Sequence, residues 1–155
     1  MELKTRPIME TEMLIRRPVA DVFNAVVDPA VTTRFWFTKS SGPLAAGKTV
    51  RWTWEMYGVG ADVIVHEIVP QRRIVMEWGD PGEMTHVEWT FTSVASDQTV
   101  LNVKETGHRG TDDEVVAKVL DSLGGFSLVL AGAKVFLEHG IEARLIHDRF
   151  TRPQN

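Results

Sequence analysis

The middle of this chain changes period, and that change limits what the chain can fold into. Between residues 50 and 105 apolar side chains recur at every second position, whereas on either side they recur at helical spacing. Val50, Trp52, Trp54 and Met56 alternate with Arg51, Thr53 and Glu55, which puts the apolar set on one face of a strand. Tyr57-Gly58-Val59-Gly60 predicts a turn into a strand over 61–69, and Pro70-Gln71 leads to Ile74, Met76 and Trp78, alternating with Val75 and Glu77. After the turn-forming residues 79–82, Val87, Trp89 and Phe91 alternate with His86, Glu88 and Thr90. Ser96-Asp97 turns once more, and Leu101, Val103 and Glu105 share a face of the last strand. Five successive strands with short connections imply an antiparallel meander.

The flanks are mostly helical. Residues 11–16 predict a short strand that ends where Arg17-Pro18 forces a change of conformation. Pro18 suits a first helical turn, and Val19, Val22, Phe23, Val26 and Val27 follow at helical spacing. Asp28-Pro29 reads as the cap and first position of a second short helix, which runs into Phe35-Trp36-Phe37, and residues 39–47 read as loop. Near the other end, Thr111 and Glu114 have the T-x-x-E spacing of a capping box. Val116, Leu120, Leu123, Phe126 (or Ser127), Leu130, Ala133 and Leu137 then predict a long helix ending at Gly140. Its apolar run is shorter than the ~20 residues of a membrane span and contains Gly124, Gly125 and Gly132, so a helix enclosed by protein is expected, with no membrane span. Residues 141–150 predict a further short helix. The expected organisation is one domain over 11–140, an N-terminal tail over 1–10 and a C-terminal extension over 141–155.

Composition excludes several classes of partner. The 155 residues carry 17 Lys and Arg against 21 Asp and Glu, a formal charge of −4, which argues against binding a phosphate backbone, so no nucleic acid is expected. Without cysteine there is no disulfide, thiolate metal site or thiol nucleophile. The first residues lack the apolar run of a secretory signal, and a cytoplasmic location is expected. Residues 42–49 satisfy the phosphate-loop pattern G-x-x-x-x-G-K-[ST]. That chemistry needs a helix after the loop, whereas here an alternating strand follows and Pro43 removes one amide donor, so the match reads as chance.

The order strand, two short helices, five-strand meander and long helix resembles the helix-grip fold of the START/polyketide-cyclase (SRPBCC) superfamily. The nearest resemblance is to the branch related to the activator of the heat-shock chaperone ATPase. It is carried by Arg17-Pro18-Val19-Ala20-Asp21-Val22-Phe23-Asn24-Ala25 with Asp28-Pro29, by Trp36-Phe37, and by Gly42-Pro43 and Gly47. Further matches are Pro70 with Arg73-Ile74-Val75-Met76-Glu77-Trp78, residues 87–91, and Thr99-Val100-Leu101-Asn102-Val103. Two departures stand out: Gly125-Phe126 replaces a Gly-Trp common in relatives, and residues 141–150 lie beyond the usual domain end. The resemblance implies an α+β fold, with a curved antiparallel sheet of about six strands gripping the C-terminal helix around an apolar cavity. It implies no single activity, because the fold hosts lipid binders, cyclases, hormone receptors and co-chaperone modules.

Candidate site residues follow from that frame. Trp52, Trp54, Met56, Trp78, Trp89 and Phe91 fall on the inner faces of their strands; with Phe35, Trp36, Phe126 and Leu130 they are expected to line a ligand cavity. A guest burying ~300 Å² of apolar area gains about 7.5 kcal/mol, from which association subtracts several, so selective binding needs a polar anchor. Glu105 is that anchor if its strand face points inward; the alternative is a rim carboxylate paired with an arginine. Glu67 is a second carboxylate of uncertain register, and Glu105 and Glu67 are also the candidates for moving protons. His86 and Glu88 face away from the core, and His139 and His147 lack metalloprotease spacing, so no metal and no cofactor are expected. Gly125 and Gly132 invite close approach, by sheet, ligand or a second subunit, and Leu128, Ala131 and Val135 form an apolar back face through which a homodimer could pack. The leading expectation is non-catalytic binding of a hydrophobic small molecule such as a lipid, polyketide or aromatic metabolite. Its alternatives are a cyclase- or hydratase-type enzyme and a chaperone-associated interaction module.

Overall fold

The computed structural model describes residues 1–150 and 152. Its strands are β1 (Met9–Ile15), β2 (Lys39–Ser40), β3 (Thr49–Trp54), β4 (Val59–Val69), β5 (Arg73–Gly79), β6 (Thr85–Ala95) and β7 (Gln98–Thr106). Its helices are α1 (Val19–Val27), α2 (Pro29–Thr32) and α3 (Asp112–His139). The strands form one antiparallel sheet in the order β1-β7-β6-β5-β4-β3-β2. The meander is therefore β3 to β7, with β1 added beside β7 and α3 packed over the sheet in a helix-grip arrangement.

Local chemistry sets the boundaries. The Asp28 side chain accepts from the Ala30 amide at 2.9 Å, capping α2 with Pro29 in its first turn. The Thr111 hydroxyl accepts from the Glu114 amide at 3.2 Å, and α3 ends at Gly140, whose φ of 67° closes the helix in the left-handed region. Alternation is regular along β6 and β7, where Val87, Trp89, Phe91, Leu101, Val103 and Glu105 are all buried. β4 breaks its period at a register shift between Val65 and Glu67.

The structure departs from the sequence expectations at several places. A seventh strand, β2, lies in the segment read as loop; it is two residues long, too short to show a period. β1 begins at Met9, inside the expected tail, because Met9 pairs with Glu105 and is 1% exposed. Met56 leaves the strand for a 3-10 turn over Glu55–Tyr57 that closes on Gly58. Residues 141–150 form turns rather than a helix. Along α3 the expected stripe is displaced by one residue over its first half. Val115 and Val119 are buried, whereas Leu120 is 62% exposed and Leu123 is 38% exposed. Val115-Val116 and Val119-Leu120 are adjacent apolar pairs, so two stripes fitted the spacing, and polar Ser122 on the inward stripe hid the right one.

At 28 residues α3 is, by length and composition alone, long and apolar enough to cross a membrane, which corrects the expectation from its run length. In this fold it lies on the sheet, with Phe126, Val129, Leu130 and Ala133 buried there. Residues 42–49 pass into β3 and not into a helix, so no helix N-terminus faces that loop.

Candidate functional site

Trp36 organises the interior. Delivered by the turn after α2, its ring centroid lies 4.8 Å from Trp52, 5.7 Å from Trp78 and Trp89, and 6.1 Å from Trp54. All five tryptophans therefore meet in one cluster, which Phe126 of α3 joins at 5.6 Å from Trp36. The geometries are edge-to-face or tilted, the arrangement favoured by ring quadrupoles.

Beside this cluster, between α3 and strands β3 to β5, lies a cavity of about 450 Å³. Trp36, Trp54, Trp78 and Phe126 wall one side, and Val129 of α3 and Val59 and Ala61 of β4 add to the apolar lining. The remaining apolar residues expected to line a cavity are not among those that line this one. Trp52 stacks under Phe37 at 4.6 Å and is 1% exposed, and Trp89 is equally buried against Trp36 and Phe126. Phe91 meets Phe23 of α1 edge-on at 5.2 Å, Leu130 is core, and Met56 packs half-buried in its turn. Phe35 rests on α3, where a Cβ built at Gly132 would lie 3.3 Å from the Phe35 Cβ. These six residues are packing, because an inward-facing position on a sheet is either core or cavity and alternation cannot tell which.

The cavity's buried polar centre is Glu105, 3% exposed at the end of β7. Its Oε2 accepts from the Trp78 indole N–H at 2.7 Å and from the Thr85 hydroxyl at 2.5 Å. Its Oε1 accepts from the Ser122 hydroxyl of α3 and lies 3.2 Å from His108 Nε2. In place of the expected rim ion pair, these partners hold the carboxylate among an indole, two hydroxyls and one imidazole. His108 also lines the cavity; its Nδ1 and the Trp89 Nε1 are, among the described residues, the buried side-chain nitrogens without a hydrogen-bond partner. Glu67 is corrected outright: it follows the β4 irregularity, is exposed, and sits on the side where His66 pairs with Glu77 at 3.0 Å. Among the described residues no three His, Asp or Glu side chains converge as metal ligands.

Sequence reasoning missed the side of the cavity formed after Gly140. Ile146, Arg149 and Phe150 line it together with Tyr57, Lys118, Asp121 and Gly125. Ile146 is 8% exposed, and the Tyr57 hydroxyl donates to its carbonyl at 2.5 Å. Arg149 reaches back to α3, donating to the Asp121 carbonyl and carboxylate at 3.0 Å each. The available signal was the pair Gly124-Gly125 in mid-helix, a weakness that something must offset.

Comparison with known proteins agrees with this architecture. A protein from Staphylococcus saprophyticus is 28% identical, with a TM-score of 0.75 over 87% of this chain and 94% of that one. DynU16, from the dynemicin biosynthetic locus, is 23% identical, with a TM-score of 0.70 over 86% of this chain and 48% of its own. The Aha1 dimer from Colwellia psychrerythraea is 17% identical, with a TM-score of 0.72 over 86% and 98% of the two chains. No functionally curated protein matches the chain. The family model described as activator of Hsp90 ATPase homolog 1-like protein matches residues 16–126, well over half of the sequence, and the chain belongs to that family.

Proposed function

We propose that the protein binds a hydrophobic small molecule, a lipid, polyketide or aromatic metabolite, in the cavity between sheet and α3. The observation that carries this is the cavity itself: about 450 Å³, walled by indole and phenyl rings, with one buried carboxylate among its lining groups. That volume falls in the ~300–1,000 Å³ range of small-molecule sites. It also favours binding over a chaperone-type module acting only through its surface, which would leave the interior filled. DynU16, from a biosynthetic locus, has the same fold, which is in keeping with a small-molecule role. The reading includes a cytoplasmic site of action and a homodimer through α3. The dimer is supported by the dimer formed by the Colwellia relative. The expected back face of Leu128, Ala131 and Val135 is only half-exposed, with Leu128 packed against the core, and the exposed apolar residues of α3 are Leu120 and Leu123.

Native mass spectrometry of protein purified from its own host tests this. The expected spectrum has the mass of the chain plus a lipid or aromatic guest, and a two-chain species; a one-chain mass alone removes the dimer. Ala61→Phe, which fills the cavity from β4, is expected to abolish the guest without unfolding the protein. An apo mass for the native sequence, with no tryptophan fluorescence change across a panel of hydrophobic ligands, sinks the binding reading.

One observation favours a second reading. Glu105 and His108 converge at 3.2 Å in the cavity wall, a carboxylate–imidazole pair of the kind that moves protons in cyclase- or hydratase-type reactions. Once a turned-over substrate is in hand, Glu105→Gln with unchanged turnover removes Glu105 from that chemistry.

A further inference from the structure

Two consecutive glycines interrupt the middle of α3, and one side chain explains both. A Cβ built on Gly124 would lie 2.9 Å from Arg149 Nη2, and one on Gly125 would lie 2.9 Å from Nη1. The guanidinium therefore rests flat on the helix backbone, at a spot where only residues without side chains leave room. Its Nη2 donates to the Asp121 carbonyl and carboxylate, and its cation lies 5.0 Å from the centroid of the Phe150 ring. Phe150 in turn meets Tyr57 edge-on at 5.5 Å, and Tyr57 holds the Ile146 carbonyl. The chain after Gly140 is thus pinned on both sides of the cavity, to α3 by Arg149 and to the turn before β4 by Tyr57.

We propose that residues 141–150 are a detachable wall of the cavity and that Arg149 is the residue that holds it shut, setting the size of guest admitted and the rate of its release. The proposal rests on the ligand reading of the cavity and deepens it. Detachment is local, because the segment joins no strand and no helix. Besides Arg149 it is held by the buried Ile146, the Tyr57 hydrogen bond and an exposed Arg34–Glu142 ion pair at 3.3 Å, and the Arg149 tether at Asp121 is to a 70% exposed side chain. Such segments open locally at far lower cost than global unfolding. Closed, the wall presents the buried Ile146 to the guest, whereas a molecule larger than the space of about 450 Å³ requires it lifted. The segment lies outside residues 16–126, the part that the family model matches.

The test is a double-mutant cycle in the full chain with Arg149→Ala, Gly125→Ala and the two combined. Alanine at 125 strengthens the helix intrinsically and meets only the movable end of Arg149, so it displaces the guanidinium and leaves the fold intact. In the ligand-free protein, acrylamide quenching of tryptophan emission should rise in both single variants, because Trp54 and Trp78 line the cavity, and should rise no further in the double. With the neutral probe N-phenyl-1-naphthylamine, release should quicken by about tenfold in each, as expected for one or two lost hydrogen bonds, again without additivity. Unchanged quenching in the single variants, additive effects in the double, or a bound probe whose release is unaltered each overturns the proposal. A quenching difference with no probe bound by any of the proteins overturns the ligand reading instead and leaves Arg149 as the cover of an empty space.

Discussion

At the scale of single residues, Trp36 carries more of the interior than its place in a loop suggests. It touches the other four indoles and Phe126, so truncation opens a void with walls from three strands and a helix. Trp36→Ala is expected to cost about 3–5 kcal/mol in urea denaturation, the range for a large aromatic removed from a core. A loss below about 1 kcal/mol would mean the cluster can collapse onto the gap. The sequence showed that Trp36 belongs inside but not what it touches, since the residues it joins are up to 90 positions away and no local period records them. Glu105 was legible for a different reason. A carboxylate in phase with Leu101 and Val103 had to point inward, whereas its four partners come from β5, β6, α3 and the loop after β7, so they were not.

At the scale of elements, α3 is tied to β1 by one ionic network. The Arg16 amide donates to Glu138 at 2.9 Å, and Lys134 Nζ donates to Glu138 at 2.6 Å and to the Leu14 carbonyl at 2.7 Å. Burial pushes the Glu138 carboxyl upward, but the Arg16 amide and the Lys134 ammonium together outweigh it and hold the carboxyl below its ordinary 4.5. A carboxyl depressed in the folded state contributes its full stability above the unfolded value and loses it as pH falls through the folded one. The melting temperature of the native protein should therefore exceed that of Glu138→Gln at about pH 6, with the gap closing below about pH 4.5. A gap that persists undiminished to about pH 3 would show that the network acts through hydrogen bonding alone. The caps of α2 and α3 were readable because they are made within four residues, but the face of α3 was set by the sheet, and only burial distinguishes Val119 from Leu120.

At the scale of the whole molecule, the meander and its long helix followed from period and order, whereas β2, the start of β1 and the turn at Met56 did not. Nor did the closing of the cavity, because residues 141–150 adopt turns held by Tyr57 and Asp121, contacts that leave no pattern in the segment itself. The sheet also has two free margins, and each is guarded. On one side β2 stops after two residues, too little to template a neighbour. On the other, Lys134 and Glu138 occupy the Leu14 carbonyl and the Arg16 amide at the end of β1, and Glu10 and Glu12 add negative charge nearer its start. An open seven-stranded sheet with both borders blunted in this way resists recruiting extended segments from other molecules without being sealed into a barrel.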